Sequence, residues 1–421
     1  MRKAGLLAVI VLAALLALTA WLGLREDKVP ASPGDGDLVA RGAYLARAGD
    51  CQACHTARGG ILFAGGRAIR TPFGTIHAPN ITPDKETGIG RWSADDFWNA
   101  LHNGKGRDGK LLYPAFPYPN YTRVTRADAD ALHAYFMSLQ PVRQQNREPE
   151  LRFPFNQRAL LVVWRALYFR PGVYAEQPQQ NGEWNRGAYL VQGLGHCSAC
   201  HTPRNALGAT SNGRELGGAM IPMLDWHAAS LTGEREAGLG NWDVQQLVDL
   251  MKTGISARGV VSGPMSEVVR ESTQHLEDAD LRAMAVYLKS LPKADVPARD
   301  APPLDAESQR ILKLGAALYE KHCADCHKAE GSGEPPHIPP LAGNHAVMLD
   351  APVNTIRAVM HGGYPPSTQG NPRPYGMPPF GNVLSDDEVA AVVSFVRNSW
   401  GNRASMVSGQ QANRYRTVQV D

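Results

Sequence analysis

Three copies of one short motif could each hold a cofactor. The motif is C-x-x-C-H, and its copies at 51–55, 197–201 and 323–327 use all six cysteines of the chain. Two thiols on one helical turn can add to the vinyl groups of a haem, and the adjacent histidine can bind the iron. The sequence therefore predicts three covalently bound haem c groups. Their protein ligands would be Cys51, Cys54 and His55, then Cys197, Cys200 and His201, then Cys323, Cys326 and His327.

Paired cysteines also occur in zinc sites and in redox-active dithiols. A zinc site would need two pairs to converge and would leave the third pair over. Neither a zinc site nor a dithiol explains why a histidine follows the second cysteine in every copy. Haem attachment accounts for every residue of the motif.

Composition and length limit the remaining possibilities. The formal net charge of the 421 residues is +3, which gives no indication of nucleic acid binding. A chain of this length is expected to form several domains, and three haem motifs favour three. Glycine-rich nucleotide-binding motifs and hydrolase motifs are not visible in the sequence. A flavin, quinone-cofactor or molybdenum site is not recognisable either, so we find no substrate-oxidising site in this chain.

The N-terminal segment indicates the compartment. Arg2 and Lys3 precede the uncharged residues 4–24, a stretch long enough to cross a bilayer core. Residues 1–25 are therefore either a signal peptide or a membrane anchor. The nearest cleavage position, after Ala20, has the large Leu18 at −3, which favours an uncleaved anchor. In both cases the positive-inside rule places the rest of the chain on the periplasmic face of a bacterial inner membrane.

The haem motifs belong to a longer internal repeat. Similar residues open each copy at 41–45, 186–190 and 314–319, on an apolar-periodic helix that leads into the motif. A histidine-containing loop, a short helix that ends at a glycine and an acidic-start terminal helix follow each motif. We expect the short helices at 95–102, 243–252 and 353–361, and the terminal helices at 126–139, 278–291 and 385–400.

The repeat also predicts the domain boundaries. Repeats 1, 2 and 3 are residues 38–145, 181–291 and 306–405. A polar segment at 26–37 would be a tether that lets these domains stand off the membrane, and 406–421 would be a tail without assigned function. The linker 292–305 is rich in proline and alanine and would allow repeat 3 some freedom of position.

The linker 146–180 contains an apolar, aromatic stretch at 153–169 with interspersed arginines. One interpretation is a helix at the membrane surface or against a partner. The other, which the sequence slightly favours, is a helix buried between two haem domains.

The order of helix, C-x-x-C-H, loop, short helix, methionine loop and terminal helix resembles the class I cytochrome c fold. We therefore expect a mainly α protein with three tandem class I cytochrome c domains behind an N-terminal membrane segment. Such a chain resembles the tri-haem cytochrome c subunit of bacterial membrane-bound periplasmic dehydrogenases of the alcohol, gluconate and aldehyde-oxidising type. The stretches 80–84, 112–118 and 272–276 are similar to those of that family.

The resemblance implies an electron-transfer subunit. Such a subunit accepts electrons from a catalytic dehydrogenase subunit with a quinone, flavin or molybdenum cofactor and passes them to ubiquinone or a downstream cytochrome. One alternative is a free-standing, membrane-tethered carrier to a terminal oxidase. A peroxidase-like haem enzyme is a third and less well supported possibility. The partner's substrate is not indicated by the sequence.

A c-type haem that carries electrons usually has a methionine sulfur on the open side of its iron. In repeat 3, Met377 lies before the terminal helix, as the methionine loop of the family does, and Met265 occupies the equivalent stretch of repeat 2. We expect these two residues to be distal iron ligands. Core filling is the ordinary role of a single methionine, but their positions in the repeat favour ligation.

Repeat 1 departs from this pattern. Phe116, which cannot bind iron, stands where the methionine belongs, and 122–125 contains no methionine. The remaining candidates are His77, His102, His133 and Met137, and each has a structural explanation of its own. Three alternatives follow for haem 1. Its iron is five-coordinate, or it binds a second histidine, or it binds a ligand from outside the repeat. An open or histidine-ligated haem 1 would have a lower potential than the other two.

Overall fold

The protein is described by a computed structural model that covers residues 2–30, 37–211, 213–234, 238–292 and 305–417. The chain divides into two compact units, and residues of the second predicted repeat occur in both. Unit 1 is Met1–Gln180, Tyr189–Ala199 and Asn205–Ala209, and unit 2 is Asn181–Ala188, Cys200–Arg204 and Thr210–Asp421. Most of the predicted linker 292–305 lies outside the described residues. The boundaries of the three repeats remain predictions.

The segment up to the second repeat is mostly helical, with one small antiparallel sheet. Its elements are α1 (Arg2–Gly23), α2 (Leu38–Ala48), α3 (Cys51–His55), β1 (Ala68–Thr71), β2 (Gly74–His77), α4 (Ala94–Asn103), α5 (Tyr118–Tyr121), α6 (Arg126–Ser138), β3 (Glu150–Leu151) and α7 (Leu160–Tyr168). The sheet has the order β1-β2-β3.

The second repeat follows the same order of helices. Its elements are α8 (Gly182–Gln192), α9 (Ser198–His201), β4 (Ala219–Ile221), β5 (Trp226–Ala228), α10 (Val244–Thr253), β6 (Ile255–Ser256), β7 (Gly259–Val260), α11 (Pro264–Glu271), a 3₁₀ turn (Thr273–His275) and α12 (Asp278–Ser290). The strands form two separate antiparallel pairs, β4-β5 and β6-β7.

The last part of the chain contains only helices among its described regular elements. These are α13 (Ala306–His322), α14 (Ala324–His327), α15 (His345–Met348), α16 (Val353–His361), α17 (Asp386–Arg397) and α18 (Gly409–Asn413). The mainly helical class and the six predicted short and terminal helices are therefore confirmed, with ends shifted by at most a few residues.

Local sequence explains where the short helices start and stop. Ser93 before α4 and Asp243 before α10 each form a capping box with the residue three positions later. Gly104 and Gly254 follow these helices with φ of 58° and 80°, a left-handed conformation that favours glycine.

One helix crossing is common to all three repeats. In each, a glycine of the first helix lies so close to the terminal helix that an added Cβ would approach a backbone carbonyl to about 2 Å. The glycine and carbonyl pairs are Gly42 with Ala131, Gly187 with Ala283 and Gly315 with Ala391. The equivalence of these contacts supports three copies of one helical arrangement.

Repeats 2 and 3 pack against each other inside unit 2. Asn354 of α16 accepts a hydrogen bond from the His227 amide (2.9 Å) and donates one to the His227 carbonyl (2.8 Å). The Arg357 guanidinium lies 4.5 Å from the ring centroid of Trp226, and the Thr368 hydroxyl donates to the Thr253 carbonyl. These contacts differ from the freedom of position that we expected for repeat 3, because they depend on partners far along the chain.

The predicted tail continues the packed region of repeat 3. Val407 and Ala412 are buried, and Arg416 forms an ion pair with Asp386 at 2.6 Å. The His361 side chain bonds to the Tyr415 carbonyl at 2.7 Å. The boundary expected at residue 405 therefore falls within a packed structure.

Helix α1 is long and apolar enough to cross a membrane, and its window Leu6–Gly23 has a mean hydropathy of 2.6 with 6% of its residues buried. The residues that follow it lie against the first repeat. Asn103 exchanges hydrogen bonds with the backbone of Asp27, and Lys105 pairs with Glu26. The first residues of the predicted tether therefore run along the protein.

Candidate haem centres

Each C-x-x-C-H motif ends in one short turn of helix. Helix α3 contains the whole first motif, and α9 and α14 contain the last four residues of the other two. In α3 both cysteines lie on one helical turn, three residues apart, and therefore on one face. This geometry suits the attachment of one haem by two thioether bonds.

The three histidines predicted as proximal ligands share one hydrogen bond that we had not predicted. The Nδ1 atom of each lies within bonding distance of a backbone carbonyl in the loop after its motif. The pairs are His55 with Pro79 at 2.7 Å, His201 with Ala229 at 2.6 Å and His327 with Pro339 at 3.3 Å.

This carbonyl fixes the state of the imidazole. A proton on Nδ1 that is donated to the carbonyl leaves Nε2 as the nitrogen that could bind iron, and it orients the ring. Burial lowers the pKa of His55, His201 and His327, which favours the neutral imidazole that metal binding requires. The sequence did contain a signal for this hydrogen bond. Each accepting carbonyl belongs to the third residue of a histidine loop, at 77–81, 227–231 or 337–341.

The cysteines are unlike those of a dithiol enzyme. All six are free of disulfide bonds. Burial raises the pKa of the Cys51 thiol to about 12 and that of Cys323 to about 11, whereas redox-active thiols have a lowered pKa. Among the described residues, no group of three or more His, Cys, Asp or Glu side chains could hold a metal ion. The donor set fits covalent haem better than either alternative.

Met377 is half-buried beside the core of the third repeat. It packs against the same apolar cluster as Cys323, the first cysteine of that motif. Its backbone pairs with Gly363 through hydrogen bonds of 2.9 and 3.0 Å, which hold the methionine loop against the end of α16. The structure thus brings this predicted ligand and its haem motif to one cluster.

Met265 is half-buried in the first turn of α11. Gly263 precedes it with φ of 57°, and a Cβ at this position would approach the Trp226 ring to 2.5 Å. The Trp226 Nε1 atom is buried and has no hydrogen-bond partner among the described residues. A buried donor without a partner beside the methionine loop fits a site that receives a group with acceptor atoms.

Aromatic rings take the corresponding place in repeat 1. Phe116 contacts Tyr121 with ring centroids 5.3 Å apart. The Tyr121 hydroxyl donates to the Gly49 carbonyl at 3.1 Å, and burial beside Cys51 and Cys54 raises its pKa well above the usual value. Tyr121 is therefore next to the first motif, a position that sequence reasoning missed.

The other candidates for the distal side of haem 1 have partners elsewhere. The His77 ring pairs with Glu150 at 3.1 Å, and the His133 ring bonds to the Trp92 carbonyl at 3.1 Å. His102 stacks on Trp98 and lies 3.5 Å from Asp27. Met137 is 36% exposed on α6. The distal ligand of haem 1 remains open.

Residues at the start of the second motif belong to unit 1 and contact the first repeat there. His196, directly before Cys197, contacts the Tyr121 ring edge to face at 5.6 Å, and its ring bonds to the Gly49 backbone. The Asn120 amide donates to the Ser198 hydroxyl at 2.8 Å. The segment that begins the second motif is therefore packed against the Gly49 and Tyr121 region of repeat 1.

Comparison with known proteins shows the family of the chain. The cytochrome c family profile matches residues 39–140 and 312–400. The chain is 41% identical over 409 residues to the gluconate 2-dehydrogenase cytochrome c subunit of Pantoea cypripedii. The aligned region covers 94% of this chain and 91% of the relative. It is 41% identical over 405 residues to the cytochrome c subunit of the quinone alcohol dehydrogenase of Gluconobacter oxydans (92% and 84% covered). The fructose dehydrogenase cytochrome subunit of Gluconobacter japonicus is 37% identical over 405 residues (90% and 82%).

Proposed function

Because this chain belongs to the family of cytochrome c subunits of bacterial periplasmic dehydrogenases, we propose that it is the three-haem electron-transfer subunit of such a complex. It would accept electrons from a catalytic dehydrogenase subunit and deliver them to ubiquinone or a downstream cytochrome. The observation that carries the proposal is the carbonyl-bound histidine beside a cysteine pair, present three times. Bound haem c would supply reversible one-electron transfer.

The haem of repeat 2 needs support of its own, because the family profile matches only the first and third repeats. Repeat 2 supports it with Cys197, Cys200, the pair of His201 with the Ala229 carbonyl, and Met265. We further propose Met265 and Met377 as distal ligands.

The mass of the denatured protein tests the haem count. Three covalent haems are expected in the unaltered chain, and the Cys200→Ala variant is expected to lose stable attachment of one. Met223→Leu, an exposed substitution in the same repeat, serves as the control and should keep all three. A mass with two haems in the unaltered chain would contradict the proposal for repeat 2.

We also propose that α1 anchors the protein in the bacterial inner membrane with the haem domains on the periplasmic face. The exposed apolar surface of α1 and its length support an anchor. Attachment of haem c in the periplasm is consistent with this orientation.

Purification with partners tests the function itself. The tagged protein, extracted gently from native membranes, is expected to bring a large subunit that contains a quinone, flavin or molybdenum cofactor. Identification of that cofactor would give the substrate class. A single polypeptide, or co-purification with an oxidase, would favour the free-standing carrier instead.

A further inference from the structure

We propose that α7 is a second membrane attachment, whose exposed apolar face lies in the headgroup and upper acyl layer of the bilayer that α1 crosses. This inference rests on the membrane position proposed for α1. Helix α7 would then be an interfacial helix, and lipid would cover its exposed face.

Helix α7 has one buried face and an exposed apolar face. Leu161 and Arg165 are buried toward the protein, whereas Leu160, Val163 and Leu167 are 48%, 46% and 63% exposed. The exposed residues recur at i, i+3 and i+7, so they form one continuous stripe. A helix that needed only a core contact would carry polar residues on that stripe.

The buried cation of α7 fastens the helix to the end of α1. Arg165 donates to the Gly23 carbonyl at 2.7 Å, to the Asn103 carbonyl at 2.5 Å and to the Arg25 carbonyl at 3.3 Å. Gly23 and Asn103 are the last residues of α1 and α4, whose final carbonyls have no partner within their helices. One guanidinium therefore caps two helix ends, where a positive charge is favourable.

The backbones of α1 and α7 are in close contact. A Cβ on Gly23 would approach the Val162 carbonyl oxygen to 2.1 Å, so this contact requires a residue without a side chain. Small residues at helix contacts are typical of membrane helices that remain paired. Close packing of this kind also supports retention of α1 after export.

The position of this contact sets the depth of α7. Helix α1 has 22 residues and is about 33 Å long, close to the thickness of a hydrocarbon core. Near its end Trp21 is 62% exposed, with the Arg25 guanidinium 5.3 Å from its ring centroid. Tryptophan and arginine are typical of the membrane interface. Because α7 contacts Gly23, it lies at the same level.

The surroundings of α7 also suit an anionic lipid surface. Residues 151–175 contain four arginines and no aspartate or glutamate. Arg152 and Arg170 are exposed on either side of the helix. Trp164 donates to the carbonyl of Leu207, which is itself 46% exposed and extends the apolar surface. Basic flanks beside an apolar stripe are the features of interfacial helices.

Spin-label accessibility tests the inference in the full-length, haem-loaded protein. Since haem attachment occupies all six cysteines, a cysteine introduced by Leu167→Cys carries the only nitroxide. Leu12→Cys in α1 is the lipid control, and Ile61→Cys, an exposed apolar residue of unit 1, is the water control. The proteins are reconstituted in vesicles of phosphatidylethanolamine and phosphatidylglycerol. Collision with oxygen and with a water-soluble nickel chelate is measured for each label.

The label at position 167 is expected to collide with nickel several-fold less often than the label at 61. It is expected to collide with oxygen readily but less often than the label at 12, because position 12 is at the middle of α1 and oxygen is most concentrated at the bilayer centre. Val163→Cys provides a second position on the same stripe if the first variant does not fold. A label at 167 that nickel reaches as readily as the label at 61 would overturn the inference. Low collision with both reagents would also overturn it, because a protein would then cover the stripe.

Two further results separate this inference from the proposed function. If the label at 12 is in lipid and the label at 167 is in water, only the inference fails. More than one nitroxide per chain would show that a cysteine pair lacks its haem, which would contradict the proposed function whatever the position of α7.

Discussion

Repeats 1 and 3 hold their proximal histidines in the same way but differ on the opposite side of the expected haem. His55 and His327 both bond to the carbonyl of a loop proline. In repeat 3 the distal loop presents Met377 beside the core, whereas repeat 1 has Phe116 against Tyr121. The proximal bond uses a main-chain atom and survives side-chain substitution, while the distal ligand depends on one side chain. Distal chemistry can therefore change without loss of the fold.

The loop of repeat 1 that corresponds to the methionine loop makes a different set of contacts. Tyr121 bonds to the Gly49 carbonyl and its ring meets His196, next to the second motif. In repeat 3 the corresponding loop pairs with Gly363 of its own repeat. The loop of repeat 1 thus contacts a residue outside its own repeat, whereas the loop of repeat 3 pairs within its repeat.

The largest effect is expected from removal of the methionine of repeat 3. The Met377→Leu variant should lose one methionine-ligated iron, and the potential of that haem should fall by about 0.1 to 0.3 V, within the range that axial ligands span. A redox titration of the purified protein measures the change. Met223→Leu alters an exposed methionine that is not a candidate ligand and should leave all potentials in place. Unchanged potentials in Met377→Leu would contradict the distal assignment.

The converse substitution examines repeat 1. If haem 1 is five-coordinate, ferric protein should show a high-spin electron paramagnetic resonance signal for one iron in three. Phe116→Met should then reduce this signal and raise the lowest potential, by less than Met377→Leu lowers its own because the new sulfur lacks an optimised loop. A fully low-spin spectrum of the unaltered protein would exclude the open form.

Buried arginines also differ between the two parts of the chain. Arg165, in the linker after repeat 1, donates to the carbonyls that end α1 and α4. Arg397 of repeat 3 donates within its own region, to the carbonyls of Val347 (2.7 Å), Leu349 (2.9 Å) and Ser405 (3.1 Å). Arg397→Met should lower the free energy of unfolding by about 3 kcal/mol, because buried carbonyls lose a charged donor. Denaturant unfolding measures this loss. Arg403→Met, an exposed change, should have little effect, and equal stabilities would refute the argument.

The smallest effect concerns pH and repeat 1. Burial lowers the pKa of His102, although Asp27 opposes the shift. The unfolded chain therefore binds this proton more readily, so the stabilising contribution is complete above the unfolded pKa and is lost as pH falls below it. The dependence cannot exceed about 1.4 kcal/mol per pH unit. His102→Gln should flatten the fall in thermal stability between neutral and mildly acid pH, and an unchanged slope would contradict this role.

Much of the site could be predicted because its signals are short. The cysteine pairs, their histidines and the helix ends at Gly104 and Gly254 each depend on residues within a few positions. The interpretation of α7 was less successful, since its composition suits both a buried helix and a surface helix. Only its burial pattern shows that one face is covered and the other exposed.

The sequence by itself determined the haem chemistry, the repeat and the helical class, since spacing and periodicity act along neighbouring residues. Tertiary structure alone decided which carbonyl lies beside each histidine of the motifs, which carbonyl accepts from the Tyr121 hydroxyl, and how Arg165 joins α7 to α1 from 142 positions away. In all these contacts the acceptor is a backbone atom, which every residue carries. A backbone carbonyl leaves no mark in the sequence until folding brings a donor to it.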